Sequence, residues 1–392
     1  MSDESRSIVR RSTTPPSVSV PLVTPLQPSV AYTTDDADAL DAVYGGAGFT
    51  YAREGHPNAS VLAEKLGWME GADPAWGRGV VTGSGMAALG TVLLGLLAAG
   101  DHVVGSNQLY GRSTRLLSVD LPRMGVDSTL ADPTDASSIA AAIRSDTKMI
   151  VVETVSNPTL RVADVAGIAA LARERGVLLV VDNTFTTPRS FRPFEHGADV
   201  VVHSVTKMLA GHSDVTLGFV IANTAEANAA LGEVAVTWGF TPSPFDCWLA
   251  ERGLHTFELR YDRAVSTAAR LADSLAELPG VEAVLYPGRA DHPEHARAAS
   301  LFAAGGAMVG VVLEGGGRQR VNAVIRAASP VAFAPTLGDV ATLIAHPASS
   351  SHRALSESER VALGIPEGLV RISVGIEDPD TLISELTHAF GS

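Results

Sequence analysis

From about residue 60 the chain alternates between two patterns. Stretches of helical character, such as SVLAEKLGWMEG and DVAGIAALARERG, are separated by short apolar runs: HVVGS, MIVVET, VLLVVDN and DVVVHS. Apolar runs with amphipathic helices between them predict a parallel sheet covered on both faces, and therefore an α/β fold. After about residue 250 the pattern changes. RAVSTAARLADSLAEL predicts a long amphipathic helix, and AMVGVVLEG and LVRISVGIE predict strands with more alternation, as in a smaller sheet with one exposed face. Residues 21–60 carry turn signals and little periodicity. Residues 1 to about 20, rich in Ser, Thr, Arg and Pro, predict a mobile arm. The expected division is an arm at 1–59, a large domain at 60–250 and a C-terminal domain at 251–392. No repeat interrupts it.

The bulk numbers narrow the class. A chain of 392 residues, 46% of them hydrophobic, can bury a large core. A net charge of -14 argues against a nucleic-acid partner and against anionic membranes. Cys247 is the sole cysteine, so no intrachain disulfide forms, as expected in a reducing cytoplasm. The opening MSDESRSIVRRSTTPPS lacks the apolar core of a secretory signal. The longest apolar run, around 91–99, is too short to span a bilayer and reads as a buried helix. A soluble cytoplasmic protein is the expectation.

Candidate chemistry collects at strand ends, where open α/β sheets bind ligands. MIVVE ends in Glu153, followed by Asn157-Pro158. VLLVVD ends in Asp182, followed by Asn183-Thr184. DVVVHS ends in Ser204, followed by Thr206 and Lys207. Any one of these could be a cap or a solvated loop residue; their recurrence at equivalent positions points to one crevice. Lys207 is the anomaly, because an ammonium just after a buried strand is costly unless paired or neutralised. Upstream, Gly83-Ser84-Gly85-Met86 opens a good helix, and such a start presents N–H groups suited to a phosphate. The third glycine falls at Gly90, too late for a dinucleotide fingerprint, and no Gly-Lys-Ser/Thr follows to make a P-loop. Phosphate cradle, strand-end aspartate and lysine together point to pyridoxal 5'-phosphate. Lys207 would form a Schiff base with its aldehyde, and Asp182 would pair with its pyridinium nitrogen. His203, His212, His346 and His352 lack a compact ligand spacing, so no metal is expected.

These residues sit in motifs that resemble the Cys/Met-metabolism pyridoxal-phosphate enzymes, the cystathionine γ-synthases, cystathionine lyases and methionine γ-lyases. The motifs are YAR at 51–53, GSGMAA at 83–88, YG at 110–111, ETVSNP at 153–158, VDNTF at 181–185, HSVTK at 203–207, RGLHTFELR at 252–260, LGDVATLIAHPASSSH at 337–352 and RISVGIED at 371–378. The resemblance implies a fold-type-I architecture, a large mostly parallel sheet domain followed by a smaller C-terminal α/β domain. It implies that Gly85, Met86, Ser204 and Thr206 hold the phosphate, with Tyr51 and Arg53 reaching the phosphate of a neighbouring subunit. It implies Tyr110 stacked on the ring as a proton-exchanging group, Asp182 at the pyridinium and Thr184 on the ring's other face. It also implies Asn157 at the substrate or ring hydroxyl, Lys207 as the catalytic lysine and Arg371 as the carboxylate fork. A shared site requires a homo-oligomer, a dimer at least, with a tetramer expected.

Four stretches depart from the family pattern: Arg112 after Tyr110-Gly111, Thr336 before Leu-Gly with Ala334-Pro335 ahead of it, Met208 after the lysine, and GHPNAS at 55–60. They border the substrate side chain in this reading, so Thr336 and Arg112 join the candidate substrate contacts and a non-standard substrate is allowed for. The expected reaction is γ-elimination or γ-replacement on a γ-substituted L-amino acid of the cystathionine, homoserine or methionine type. β-Elimination by the same chemistry is the alternative. A nicotinamide-dependent oxidoreductase and a catalytically silent binding homologue are more distant ones. The missing fingerprint argues against the first, and the intact Lys207, Asp182 and Arg371 against the second.

Overall fold

The computed structural model describes residues 17–391, so the arm expected at 1 to about 20 lies mostly outside the described residues. Twelve strands among those residues form two sheets. The larger contains β1 (Val80–Thr82), β2 (His102–Ser106), β3 (Asp127–Ala131), β4 (Thr147–Glu153), β5 (Leu178–Asp182), β6 (Val200–His203) and β7 (Gly218–Ala222), in the order β1-β7-β6-β5-β4-β2-β3. β2 to β6 are parallel to one another, and β7 runs antiparallel to both β6 and β1.

The apolar runs are buried on both faces because alternate residues serve different layers. Val103, Met149, Val151, Val180, Val200 and Val202 pack on Leu89, Val92 and Leu93 of the helix Gly85–Leu96. Val104, Ile150, Val152, Leu179, Val181 and Val201 face the helices Pro57–Met69 and Val165–Arg175 through Leu62, Leu66, Ile168 and Ala172. Helix starts are fixed by side chains: Ser84 accepts the Ala87 N–H, and Asp164 accepts that of Gly167.

The smaller sheet has β8 (Val281–Leu285), β9 (Met308–Leu313), β10 (Ala332–Phe333), β11 (Leu343–Ala345) and β12 (Leu369–Ser373), in the order β10-β11-β12-β9-β8. The expected exposed face is not found at its centre: every residue of β9 and β12 is buried. One face, with Val309, Val311, Val370 and Ile372, is covered by the helices Phe257–Ala276, Arg318–Ala327 and Pro379–Gly391. On the other, Ile365 covers Val312 and Leu369, while Met308 joins the core of the larger sheet. Exposed positions are confined to the edge strands β8 and β10. Among the described residues no helix is long and apolar enough to cross a membrane.

Candidate active site

β4, β5 and β6 are neighbours, and Glu153 on β4 is the register partner of Asp182 on β5. The three strand ends that carry the polar residues therefore open on one crevice. After β6 the chain turns, the Lys207 N–H bonding Ser204 O at 3.1 Å, and Lys207 is delivered half-buried. Its Nζ donates to Thr336 Oγ1 at 3.1 Å. Burial, and then the Arg371 charge, lowers its pKa from 10.5 to about 8. Gly338 packs on the backbone here: a Cβ at that position would lie 2.6 Å from Met208 N and 2.8 Å from Lys207 C, and its φ is +82°. Only glycine meets both demands.

Asp182 Oδ1 accepts the Thr184 N–H at 2.9 Å, and the Thr184 hydroxyl oxygen accepts the Ser204 N–H at 2.8 Å, so three of the candidate residues are tied together. Burial pushes the Asp182 carboxyl up, while Thr184 and the His203 charge pull it down. Glu153 is pushed well above its ordinary range by burial and by the Asp182 charge, and holds the Tyr110 N–H at 2.6 Å. Two adjacent buried carboxyls are thus placed in unlike surroundings.

Facing them is the start of the helix Gly85–Leu96. Ser84 occupies the Ala87 N–H, and the Gly85 and Met86 N–H groups precede the first intrahelical bond. A Cβ on Gly85 would lie 2.8 Å from Ser204 Cβ, so glycine is required for the helix start to approach Ser204. Thr206 is engaged differently from Ser204: its hydroxyl donates to Leu217 O at 3.1 Å and accepts from Leu217 N at 3.0 Å. Its one proton is committed to the backbone.

Arg371 enters from β12 and is buried. Nη1 donates to Asn157 Oδ1 at 2.7 Å and Nη2 to Thr336 O at 2.7 Å, while buried Nε has no partner among the described residues. Burial lowers its pKa to about 10, against the opposing influence of Tyr110. The smaller sheet thereby places Arg371 and Thr336 against Lys207 and Asn157 of the larger. The loop after β11 closes one side, its Ser351 O lying 2.9 Å from where a Cβ on Gly111 would be. His352 in that loop is buried, and burial with the charges of Arg371 and Arg360 lowers its pKa to about 4.

Other candidates lie at the rim. Tyr110 is 38% exposed, and Arg112, at the start of the short helix Gly111–Arg115, is exposed. Tyr51 and Arg53 are exposed and face each other, with the Arg53 guanidinium carbon 5.8 Å from the Tyr51 ring centre. Arg53 Nη1 donates to Val236 O at 3.3 Å, and among the described residues no hydrogen bond joins either residue to the Lys207 cluster. Sequence reasoning missed Gly338 and the clamp that Glu153 exerts on Tyr110. The position of Gly338 inside a family motif was the one usable signal.

Comparison with known proteins agrees with this geometry. The model of the family described as "Cys/Met metabolism PLP-dependent enzyme" matches residues 7–391. A cystathionine β-lyase, MetC, of Bacillus subtilis (strain 168) is 39% identical over 341 residues, 87% of this chain and 86% of that protein. A cystathionine γ-synthase of Mycobacterium tuberculosis is 38% identical over 364 residues, 93% of this chain and 91% of that one. The crystal structure of a cystathionine γ-synthase from Xanthomonas oryzae pv. oryzae in complex with cystathionine superposes with a TM-score of 0.88 at 37% identity, over 94% of this chain and 92% of that chain. The chain belongs to the pyridoxal-phosphate-dependent enzymes of Cys/Met metabolism, with their fold-type-I architecture.

Proposed function

We propose that this enzyme carries out γ-elimination or γ-replacement on a γ-substituted L-amino acid of the cystathionine, homoserine or methionine type. The observation that carries the reading is the bonded cluster of Lys207, Thr336, Arg371 and Asn157 beside Asp182. The residues fit the cofactor of the family. Gly85 lets the helix start close on Ser204, the Gly85 and Met86 N–H groups and the Ser204 hydroxyl suit a phosphate, Asp182 suits a protonated ring nitrogen, and Lys207 suits an aldehyde. When bound, pyridoxal phosphate is the sink for the electron pair left as a proton departs from the substrate α-carbon.

The chain supplies position and proton transfer. Lys207 Nζ, with a pKa near 8, exists as both amine and ammonium near neutral pH, so it takes the α-proton and returns protons to the substrate. Thr336 fixes its reach. Arg371 receives the substrate carboxylate at Nε and its remaining N–H groups, its plane set by Asn157 and Thr336 O. Tyr110 donates a proton from Oη to the departing γ-substituent, its backbone held by Glu153. Arg112, exposed two residues on, faces the γ-substituent and favours an anionic or polar distal group.

Tyr51 and Arg53 complete the phosphate site of a neighbouring subunit, so the working form is a homo-oligomer, a dimer at least and a tetramer in our reading. Their exposure here supports this. The buried, unpaired Cys247 accords with the cytoplasm. β-Elimination is the second reading, favoured by the likeness to a protein named cystathionine β-lyase. Products decide between them. With water, cystathionine cleaved at the γ-carbon gives 2-oxobutanoate, ammonia and cysteine; cleaved at the β-carbon it gives pyruvate, ammonia and homocysteine. O-acylhomoserine with cysteine tests replacement. Pyruvate as the main oxo acid from cystathionine refutes the γ-reading, and turnover of none of cystathionine, O-acylhomoserine and methionine refutes both.

A further inference from the structure

Behind Asp182 runs a polar chain cut off from water. Glu70, which closes the helix Pro57–Met69, is fully buried, as are Asn183 and His203. Glu70 Oε1 is in short contact with His203 Nε2 and accepts from Asn183 Nδ2 at 2.9 Å. Asn183 Nδ2 also donates to Phe191 O at 2.8 Å, and its Oδ1 accepts the Thr186 hydroxyl at 2.5 Å. Glu70 Oε2 and His203 Nδ1 have no hydrogen-bond partner among the described residues. A buried carboxylate–imidazole contact that leaves an atom unpaired at each end is a poor source of stability, because an apolar pair of like volume avoids the desolvation.

Its place gives it another use. His203 directly follows Val202, the register partner of Asp182, and Asn183 directly follows Asp182. Asp182 in turn lies beside Glu153. Two neighbouring buried carboxyls do not both ionise readily, so their surroundings decide which one keeps the charge. Glu153 meets two backbone N–H groups, those of Tyr110 and Asn157. Asp182 meets the Thr184 amide and hydroxyl and, across the sheet, one position past its register partner Val202, the His203 imidazole backed by a carboxylate.

We propose that the Glu70–His203 pair is a positioning device: Glu70 holds His203 protonated, and that charge keeps Asp182, rather than Glu153, ionised to receive the cofactor's ring nitrogen. This rests on the reading that Asp182 pairs with that nitrogen. Glu70 and His203 touch neither substrate nor cofactor in this assignment; they act through Asp182.

The test uses apoprotein and two ligands, pyridoxal phosphate and its 1-deaza analogue, in which carbon replaces the ring nitrogen. Wild type should bind pyridoxal phosphate more tightly than the analogue. Glu70→Gln keeps the volume and the acceptor oxygen and removes only the charge. It should weaken pyridoxal phosphate binding about tenfold, the equivalent of one pKa unit, and leave the analogue unaffected. The preference should then fall to that of Asp182→Asn. Parallel weakening of both ligands, or no change in either, overturns the proposal and leaves a structural role. An Asp182→Asn variant that retains the preference overturns the Asp182 reading itself, and the proposal with it. His203→Gln serves for the same comparison if Glu70→Gln does not fold. Independently of any variant, nitrogen-15 NMR of the wild-type histidine rings should find both His203 nitrogens protonated. One protonated nitrogen overturns the proposal.

Discussion

Lys207 titrates near pH 8 because burial disfavours its ammonium and the Arg371 guanidinium repels it. The two groups bond the same residue, Lys207 Nζ at 3.1 Å from Thr336 Oγ1 and Arg371 Nη2 at 2.7 Å from Thr336 O. Burial is the larger cause of the fall from 10.5 to about 8. The share of Arg371 is therefore less than half, with an upper bound of about one pH unit or about 1.4 kcal/mol. Arg371→Met removes the charge and should move the Lys207 midpoint up toward 9, whereas Arg371→Lys keeps the charge and should leave it near 8. The assay is stopped-flow capture of pyridoxal phosphate by apoprotein across pH, followed by the colour of the lysine-bound cofactor. Only the neutral amine attacks the aldehyde, so a lower pKa raises the reactive fraction at neutral pH. At pH 7.5 about a quarter of the amine is neutral for a pKa of 8, and about one part in thirty for 9. Arg371→Met should thus capture the cofactor up to about eightfold more slowly at pH 7.5 and match wild type above pH 10. A wild-type midpoint near that of a free lysine, or equal midpoints in wild type and Arg371→Met, would refute the reasoning.

Four further outcomes are expected. Gly338→Ala must recover an ordinary contact of 3.4 Å from 2.6 Å at Met208 N while holding φ at +82°; it should cost about 2–4 kcal/mol in apoprotein stability and lower kcat/KM about a hundredfold by displacing Lys207, and unaltered melting and turnover would count against the packing. Glu153→Gln should stay within about threefold of wild type, since a carboxyl held neutral is mimicked by an amide, while Glu153→Ala strands the Tyr110 N–H at about 1–3 kcal/mol; equal losses in kcat/KM for both would mean that Glu153 works ionised. Mixed oligomers of Arg53→Ala and Lys207→Ala chains should regain activity that neither parent has, and silence despite proven subunit exchange would place Arg53 in its own subunit's site. Arg112→Cys should shift the ratio of kcat/KM for methionine over cystathionine about tenfold toward methionine, and equal changes for both would remove Arg112 from the side-chain pocket.

How far the sequence reads depends on how local each device is. The strand-end cluster was legible because β4, β5 and β6 are short apolar runs whose polar residues follow within a few positions, and parallel register sets those ends side by side. The polar pattern of the smaller sheet was less informative, because β9 and β12 are covered from both sides and only the edge strands keep exposed positions. Arg371 in LVRISVG would read from composition as a surface cation, and its burial follows only from Asn157 and Thr336 arriving from distant segments. Glu70 is the extreme case. It stands before a glycine at a helix end, like many solvated glutamates, and meets His203 from 133 positions away. Nothing local marks a contact of that separation.

The division of the site between two sheets explains why one scaffold serves several reactions. Lys207, Asp182 and Ser204 are set by the larger sheet, and Gly338 presses the smaller domain directly on the Lys207 backbone. In the proposed mechanism Arg371 and Thr336 then orient a substrate carboxylate against that fixed lysine. Proton removal from the α-carbon needs nothing else from the chain, and it is common to β-elimination, γ-elimination and γ-replacement. What separates these outcomes comes later: where the leaving group sits, what protonates it, and whether a second nucleophile reaches the site before water. In the proposed mechanism those tasks fall to the turn carrying Tyr110 and Arg112, which lies against the loop after β11 and is tied to the larger sheet through Glu153 at the end of β4. A substitution in that turn can redirect the product without moving the lysine, whereas a change at Gly338 or Arg371 lowers every reaction together. Product ratios and total turnover therefore report on different parts of the molecule.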